Sequence, residues 1–558
     1  MSDAFTADER AALAPYFTNL DGPVFALVNL PETVKGALFA RYSRSPKSLR
    51  RLFLDEFLPK ISGSDPSVES AKSVAAMKSV ESAAVARAEQ LYARVLNEYG
   101  DDSVAQLGGV HLACEDASNV LTKLVEWGRL MAYLEQSTRY IAYTQQREGR
   151  WRYHVPNELD EPPRLRAKYV ATLDAAFAVY ARWIEPVQAH FRARVPKAPD
   201  DSDAVYRSAI RAKALDTLRG LLPAATQSNV GIYGTGQAYE ALLLRLRASP
   251  LAEARGYADL ILTELRKVIP AFLTRVDQPE RGGRWSRYLA GARDATARLA
   301  AEITADAEAE PRDEVTLTDF DPDGEVKVVA AALYASTDLP DDQLVAIARR
   351  MGRDERLRVL ATYAGERANR RHKPGRAFER TSYRFDVLTD YGAFRDLQRH
   401  RLLSLEWQPL STRHGYVEPE AIVEAGAQDD WTRVMDASAE LDAALRSAGL
   451  AIVAPYAVSM AYRVRFYVEM NAREAMHVIE LRTAPQGHPA YRRVCQRMHR
   501  LIADRAGHTA IAEIMQYADH SEVELERLSS ERALERKRQS MPNAEGRMPK
   551  GSSLATDG

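Results

Sequence analysis

Apolar residues recur at helical spacing along most of this chain. Arg164 to Arg194, Asp203 to Leu221, Gln237 to Leu273, Asp338 to Tyr363 and Pro455 to Leu481 each carry the pattern of an amphipathic helix. Ser67 to Glu98 is Ala-rich with few breakers and reads as one long helix. Alternation with period two is scarce. Its clearest instance is Arg380 to Leu388, where Tyr383, Phe385 and Val387 alternate with Arg384 and Asp386, as in a sheet with one buried face. Ser103 to Glu115 reads as a second strand, interrupted by Gly108 and Gly109.

The pattern breaks between Asp277 and Asp323, where turn residues and an acidic run punctuate the sequence. After Ser530 it is lost, so 531–558 is expected to be a disordered tail. The halves on either side of the break repeat one order of elements. "TVKGALFARYSRS" is echoed by "EVKVVAAALYAST". Helical sequence and a strand follow, then a helix ending in an Arg/Ser cluster, "WGRLMAYLEQSTRY" or "QRHRLLSLEWQPLSTRHGY". A segment ending at Pro comes next ("LRGLLP", "GLAIVAP"), and then a long helix running into "LRLR" or "IELR". A tandem duplication explains this order: a first domain over 22–278, an acidic linker over 279–323 and a second domain over 324–530. The expected class is α+β and predominantly helical, each copy a small sheet packed with long helices.

Composition narrows the function classes. A chain of 558 residues is long enough for roughly two to four domains, each with its own core. Its 76 basic and 77 acidic residues nearly cancel, which removes any global pull towards nucleic acid or membrane. The basic run "RANRRHKPGRAFER" lacks the interleaved aromatics of a nucleic-acid surface. No apolar run approaches the ~18 residues of a membrane span. The N-terminus is acidic, without an apolar leader segment, so a cytoplasmic protein is expected. Cys114 and Cys495 cannot form a disulfide framework or a metal cluster, and they read as inert thiols.

Three polar clusters remain. Arg399, His400 and Arg401 are consecutive, so on a helix they fan around its end. Two guanidiniums and an imidazole suit a phosphate or an anionic ring. Spacing alone favours a solvated basic surface, with Asp396 as partner of Arg399 or His400. Glu135, Ser137, Arg139 and Tyr140 form a Ser-x-Arg turn that can hold a phosphate. A loop with Arg139 paired to Glu135 fits the same spacing. Asn471, Arg473, His477 and Arg482 lie along one helical run with Glu480, where ordinary pairing of Glu469 with Arg473 is the plainer reading. Arg219 and Arg247 are lone arginines. There is no Walker loop, no dinucleotide fingerprint, no zinc spacing and no Ser-His-Asp arrangement.

Together these clusters resemble the flavin-dependent thymidylate synthase family, whose signature is RHR-x-x-S-x-N-E-x-S-x-R-Y followed by N-x-R-x-x-x-(N/H)-x-x-x-x-R. The second half supplies Arg399, His400, Arg401 and Ser404, then Asn471, Arg473, His477 and Arg482 at the family's spacing. "HKPGRAFER", starting at His372, resembles the family's His-x-x-x-Phe-Glu stretch with two extra residues. The first half supplies Glu135, Ser137, Arg139 and Tyr140, with Arg219 in an Arg-x-x-x-Pro stretch. The departures are largely complementary. Trp127 and Gly128 replace the leading Arg-His of the first half, while Glu406-Trp407 and His414-Gly415 disrupt the second part of the motif in the second half.

The resemblance implies C5 methylation of deoxyuridine monophosphate. FAD is the implied cofactor, with NADPH and methylenetetrahydrofolate as co-substrates and no metal. It implies one composite site between the halves, with Arg399, Arg482 and Arg139 as catalytic candidates. Glu135, Ser137, Arg139, Tyr140, Arg219, Arg247 and Arg399 are the implied substrate-binding set. His372, Arg399, His400, Arg401, Ser404, Asn471, Arg473 and His477 are the implied flavin set. Alkylation of another pyrimidine nucleotide, or a non-catalytic nucleotide- or flavin-binding relative, fits the incomplete motifs too. The family's tetramers imply a homodimer of this chain as a four-domain assembly.

Overall fold

The structure, a computed structural model, describes residues 5–21, 25, 27–32, 34–35, 38–39, 47–58, 106, 108–139, 141–161, 163–525 and 527–540. The expected helix over Ser67 to Glu98, the start of the Ser103 strand and Tyr140 lie outside the described residues.

Along the chain, strand β1 (Gly109–Ser118) leads into helix α1 (Asn119–Val125) and strand β2 (Met131–Glu135). Helices α2 (Pro163–Arg194) and α3 (Asp203–Leu218) follow, then β3 (Gln227–Thr235), α4 (Gly236–Ala248), α5 (Ala252–Leu265) and α6 (Gly282–Ile303). The second half opens with β4 (Val315–Phe320), α7 (Gly324–Tyr334), α8 (Asp341–Arg350) and α9 (Arg353–Ala364). It continues with β5 (Ser382–Asp390), α10 (Tyr391–Leu397), β6 (Ser404–Trp407), α11 (Gln428–Ser447), β7 (Arg463–Asn471), α12 (Ala472–Arg482) and α13 (Pro489–Asp504), and α14 spans Leu528–Ser540.

Among the described residues two antiparallel sheets form, ordered β1-β3-β2 and β4-β5-β7-β6. The duplication is visible in their helix caps. Ser118 caps α1 and Asp390 caps α10; Thr235 caps α4 and Asn471 caps α12, each through its side-chain oxygen. The fold is α+β and mainly helical, with the domain present twice.

Several expectations are corrected. Pro455 to Leu481 is not one helix: Arg463–Asn471 is strand β7, which pairs with β5 and β6 and buries Val464, Phe466, Val468 and Met470 on one face. The buried residues alternate, and pairing on both sides overrides the helical reading. Gln237 to Leu273 breaks at Ser249-Pro250, because Pro cannot continue the helix hydrogen bonds. Asp338 to Tyr363 breaks at Gly352. "MAYLE" and "SLEW", read as the ends of helices, are the edge strands β2 and β6. The segment expected to be linker carries α6 and β4, and the start of the expected tail is helical as α14.

The chain forms two compact units that do not follow its linear halves. Unit 1 comprises residues 1–136, 154–163 and 227–309; unit 2 comprises 137–153, 164–226 and 310–558. Unit 2 therefore combines α3 and most of α2 from the first repeat with the second sheet and its helices. Main-chain hydrogen bonds join the repeats inside it. Ala224 N–H donates to the Val458 carbonyl at 2.8 Å, and Met460 N–H to that of Leu222 at 2.9 Å. Counted back from the caps Thr235 and Asn471, Leu222 is equivalent to Val458 and Ala224 to Met460. The pair at Ala225–Tyr456 and Ala461–Gly220 obeys the same equivalence. Equivalent residues meeting reciprocally is the signature of an isologous, two-fold contact, here within one chain.

Candidate active site

Arg399, His400 and Arg401 sit in the turn between α10 and β6, not on a helix. Asp396, at the end of α10, is the hub around which unit 2 gathers its arginines. Arg399 Nη2 donates to its carboxylate at 2.5 Å, and Arg219 Nη1 lies 3.4 Å away. Arg482, the last residue of α12, donates from Nη2 to the Asp396 carbonyl at 2.5 Å and from Nε to His400 Nε2 at 2.9 Å. Burial alone would raise the Asp396 pKa. The guanidiniums of Arg399, Arg219, Arg482 and Arg139 instead hold it far below the usual carboxylate range, so it is ionised and accepts only.

Arg139 reaches the same neighbourhood. Its Nε and Nη2 grip Asp216 of α3 at 2.6–2.9 Å, and Nη1 donates to Tyr491 Oη at 3.1 Å. The Tyr491 ring lies 5.2 Å below the Arg482 guanidinium. Arg139 and Arg219 come from the first repeat, Asp396, Arg399 and Arg482 from the second, and one bonded network inside unit 2 joins them. Arg219 Nη2 is buried and makes no hydrogen bond, and neither does Asp390 Oδ2 beside it. Asp390 Oδ1 is 3.9 Å from Arg219 Nη2, and the approach depends on Gly392: a Cβ there would lie 2.9 Å from Arg219 Nε and Nη2 and from Asp390 Oδ1. Burial raises the Asp390 pKa against the pull of Arg219. A buried guanidinium N–H without a protein acceptor calls for a partner, whether water, ion or ligand.

A second cluster lies at the start of α12. His400 Nδ1 is 3.8 Å from Glu474 Oε1, and the rings of His400 and His477 meet edge to face at 5.6 Å. Because Arg482 Nε donates to His400 Nε2, the neutral imidazole carries its proton on Nδ1, towards Glu474. Burial, with Arg482 and His477, holds His400 well below its ordinary pKa. Burial, then Lys373 and Arg370, pulls His477 down to about 4. Burial pushes Glu474 up to about 7 against the pull of Lys373, Arg473 and Arg401. The ligand-type atoms of His400, Glu474 and His477 lie within 4.8 Å of one another, a spacing a metal ion could use. The surrounding cations oppose one: Lys373, Arg370, Arg473, Arg401 and Arg482 make the cluster's surroundings positive.

Other expected residues divide. Ser137 Oγ accepts from Arg139 N–H at 3.2 Å and shapes that turn. Arg473 is held by the Pro374 carbonyl and Glu379, and Asn471 spends its side-chain oxygen on the α12 cap. His372, Arg401 and Ser404 are exposed. One expected pairing, Arg139 with Glu135, is corrected. Glu135 belongs to unit 1, where it is buried against Lys123 at 3.2 Å; Asp216, not Glu135, orients Arg139. Arg247 also belongs to unit 1 and pairs with Asp259 at 2.7 Å. Sequence reasoning missed Asp216, Asp390, Gly392, Glu474 and Tyr491 and treated Asp396 only as a surface partner. Cys114 and Cys495 are buried, with pKa values raised by burial to about 11 and about 12, which leaves them inert.

A duplicated α+β scaffold gathers arginines of both repeats around Asp216 and Asp396 in unit 2. The family described as "Thymidylate synthase complementing protein" matches residues 60–271 and again 316–507. A UPF0159 protein of Chlamydia muridarum (strain MoPn / Nigg) is 36% identical over 94% of this chain and 98% of its own. The flavin-dependent thymidylate synthase of Mycobacterium marinum (strain ATCC BAA-535 / M) is 29% identical over 32% of this chain and 66% of its own. A solved UMP/dUMP methylase from Streptomyces cacaoi, bound with 5-Br dUMP, is 22% identical over 37% of this chain and 97% of its own, with a TM-score of 0.28. The chain belongs to the thymidylate synthase complementing protein family, as a tandem member. Among the described residues no helix is long and apolar enough to cross a membrane.

Proposed function

We propose that unit 2 carries a single composite site for the flavin-dependent reductive methylation of deoxyuridine monophosphate at C5. Methylenetetrahydrofolate would be the carbon donor, and NADPH the source of reducing equivalents. The observation that carries this reading is the meeting of both repeats at one place: Arg219, Arg399 and Arg482 gather on Asp396, and Arg139, held by Asp216, reaches Arg482 through Tyr491, with Arg219 Nη2 buried and lacking a hydrogen bond.

In this reading Arg219 and the remaining Nη1–H of Arg139 take the nucleotide phosphate, with Ser137 holding the turn. Arg399 and Arg482 meet the pyrimidine, where fixed donors stabilise charge developing on its carbonyl oxygens. Asp396 and Asp216 fix the guanidiniums before the nucleotide arrives, so little reorganisation is left to binding. The flavin fits the face of α12 beside this network. Two imidazoles kept neutral by burial and surrounding cations, with Lys373 and Arg473 nearby, suit a flat ring bearing anionic groups. His400, His477 and Arg473 would hold it, with Asn471 and the loop of His372 at its edge; when bound it supplies the hydride. The buried thiols agree with a reaction that needs no cysteine nucleophile.

One observation favours a second reading. Asp396 is an acceptor-only carboxylate among the arginines that would meet the base. An Arg–Asp pair can read the N3–H and carbonyl of uracil, or the N4 amino group and N3 of cytosine. Turnover of dUMP, UMP and dCMP side by side separates these substrates.

The composite site is tested by nucleotide affinity in Arg139→Ala, Arg399→Ala and the double variant. Residues sharing one ligand should be strongly non-additive, the double losing no more than the worse single. Clean additivity would count against a shared site. A flavin spectrum perturbed by added nucleotide would join both ligands in one place. Protein that takes up no FAD would remove the flavoenzyme reading.

A further inference from the structure

We propose that α6 is a docking surface for a second copy of this chain, the two helices pairing antiparallel about a two-fold axis. The proposal does not rest on the chemistry of unit 2. α6 belongs to unit 1 and lies between the two stretches that match the family, 60–271 and 316–507, so it is not part of the repeated domain. One face attaches it to α4. Ser286 Oγ donates to the Leu244 carbonyl at 3.3 Å, and Arg293 Nη1 donates to that of Ala248. Beyond Ala290 every residue of the helix is exposed.

A second face of α6 carries an apolar stripe. Trp285, Tyr288, Ala292, Ala295, Leu299 and Ile303 follow one another at steps of three or four residues, the spacing of a two-helix seam. At ~100° per residue the stripe lies roughly 110° round the helix from Ser286 and Arg293. Trp285 is 58% exposed, Tyr288 67%, Leu299 54% and Ile303 73%. Single apolar residues on a surface need no explanation, but a row of large ones in register marks an interaction site. A bare helix is also marginal in water and gains its stability from packing such a face.

Charge selects the occupant. Arg284 stands in the first turn of α6 and Glu302 in the last, the reverse of what the helix dipole favours. They are 18 positions apart, which at 3.6 residues per turn is about five turns. Both therefore sit on the same edge of the stripe. Among the described residues neither has an ion pair within the chain. An antiparallel copy, centred between Arg293 and Asp294, answers each of these features. It sets Trp285 against Ile303, Tyr288 against Leu299 and Ala292 against Ala295, with Arg284 against Glu302. Every pairing occurs twice, as two-fold symmetry requires. The small alanines at the centre let the backbones approach, and the opposed dipoles attract. A parallel pair would instead set Arg284 on Arg284 and Glu302 on Glu302. An anionic membrane surface would be repelled by the acidic end, where Asp306, Glu308 and Glu310 follow Glu302.

Sedimentation equilibrium of the full chain tests this. The wild type should self-associate reversibly. Tyr288→Glu combined with Leu299→Glu should raise the dissociation constant tenfold or more, with the circular dichroism retained because both side chains are exposed. Arg284→Glu alone sets like charges together twice and should weaken the association as well. Adding Glu302→Arg to it should restore the wild-type constant. Ala292→Cys, on the stripe beside the axis, should give a disulfide-linked dimer on mild oxidation. Asp294→Cys, on the far side of the helix, should not, and the native thiols are buried. A chain that sediments as a monomer over ~1–100 μM overturns the proposal. So does an association that Tyr288→Glu with Leu299→Glu leaves unchanged, which would place the contact on another surface. A double charge swap that stays weak, or cross-linking through Asp294→Cys but not Ala292→Cys, overturns the antiparallel pairing.

Discussion

Glu474→Gln should make the protein more stable at pH 8 than the wild type, and much less so at pH 5. In the folded chain burial keeps the Glu474 carboxyl protonated up to about pH 7, whereas its ordinary value is 4.5. The unfolded chain therefore releases this proton first. Its contribution to stability is fully present below pH 4.5 and is lost as pH rises to about 7, after which it is constant. At 1.36 kcal/mol per pH unit the loss is ~3 kcal/mol. Gln keeps the shape and cannot ionise, so the variant lacks this slope. Urea titrations at pH 5 and pH 8 should show the gap between the two proteins widening by ~3 kcal/mol in favour of the variant. Infrared difference spectra at pH 6 should show a protonated carboxyl band in the wild type that the variant lacks. Parallel stability curves and no such band would refute the reasoning. They would mean that Lys373, Arg473 and Arg401 keep Glu474 ionised in spite of its burial.

Further outcomes follow from the same geometry. Gly392→Ala places a Cβ against Arg219 and should lower nucleotide affinity tenfold or more by isothermal titration, ~1.4 kcal/mol or above, with the circular dichroism retained. Ala at both Cys114 and Cys495 should leave turnover intact. In the native protein neither thiol should react with iodoacetamide at pH 8, while both should react in urea. Asp396→Asn should shift the ratio of dUMP to dCMP turnover if the carboxylate reads the base, and should change only stability if it merely braces Arg399.

The helices whose apolar faces repeat over many turns were legible in the sequence, and so was β5, whose Tyr383, Phe385 and Val387 alternate. β7 was not, although Val464, Phe466, Val468 and Met470 alternate as cleanly. Helix-compatible sequence on its C-terminal side hid the change of period at Asn471. The edge strands β2 and β6 are too short to establish a period. At the site, the residues with a family spacing were found, and their partners were not. Asp216 pairs with Arg139 across 77 positions of chain, and Tyr491 meets it across 352. No local pattern encodes such pairs. Glu474 lay inside a recognised run, but its buried environment is supplied by other segments.

The reciprocal main-chain pairing of residues 220–225 with 456–461 has a consequence for synthesis on the ribosome. α3 and most of α2 belong to a unit whose remaining parts begin only at residue 310. Leu173, Phe177, Tyr180 and Leu215 are buried in the finished protein. When they emerge, the strand and helices that complete their unit have not been made. At ordinary translation rates roughly 15–60 s separate residue 226 from the end of unit 2's core near residue 515. During that interval unit 1 can close, while the helices of the first repeat wait with apolar faces uncovered. Nascent chains of this protein should therefore engage holding chaperones through residues 164–226. A chain truncated after residue 309 should be aggregation-prone although its first sheet is complete.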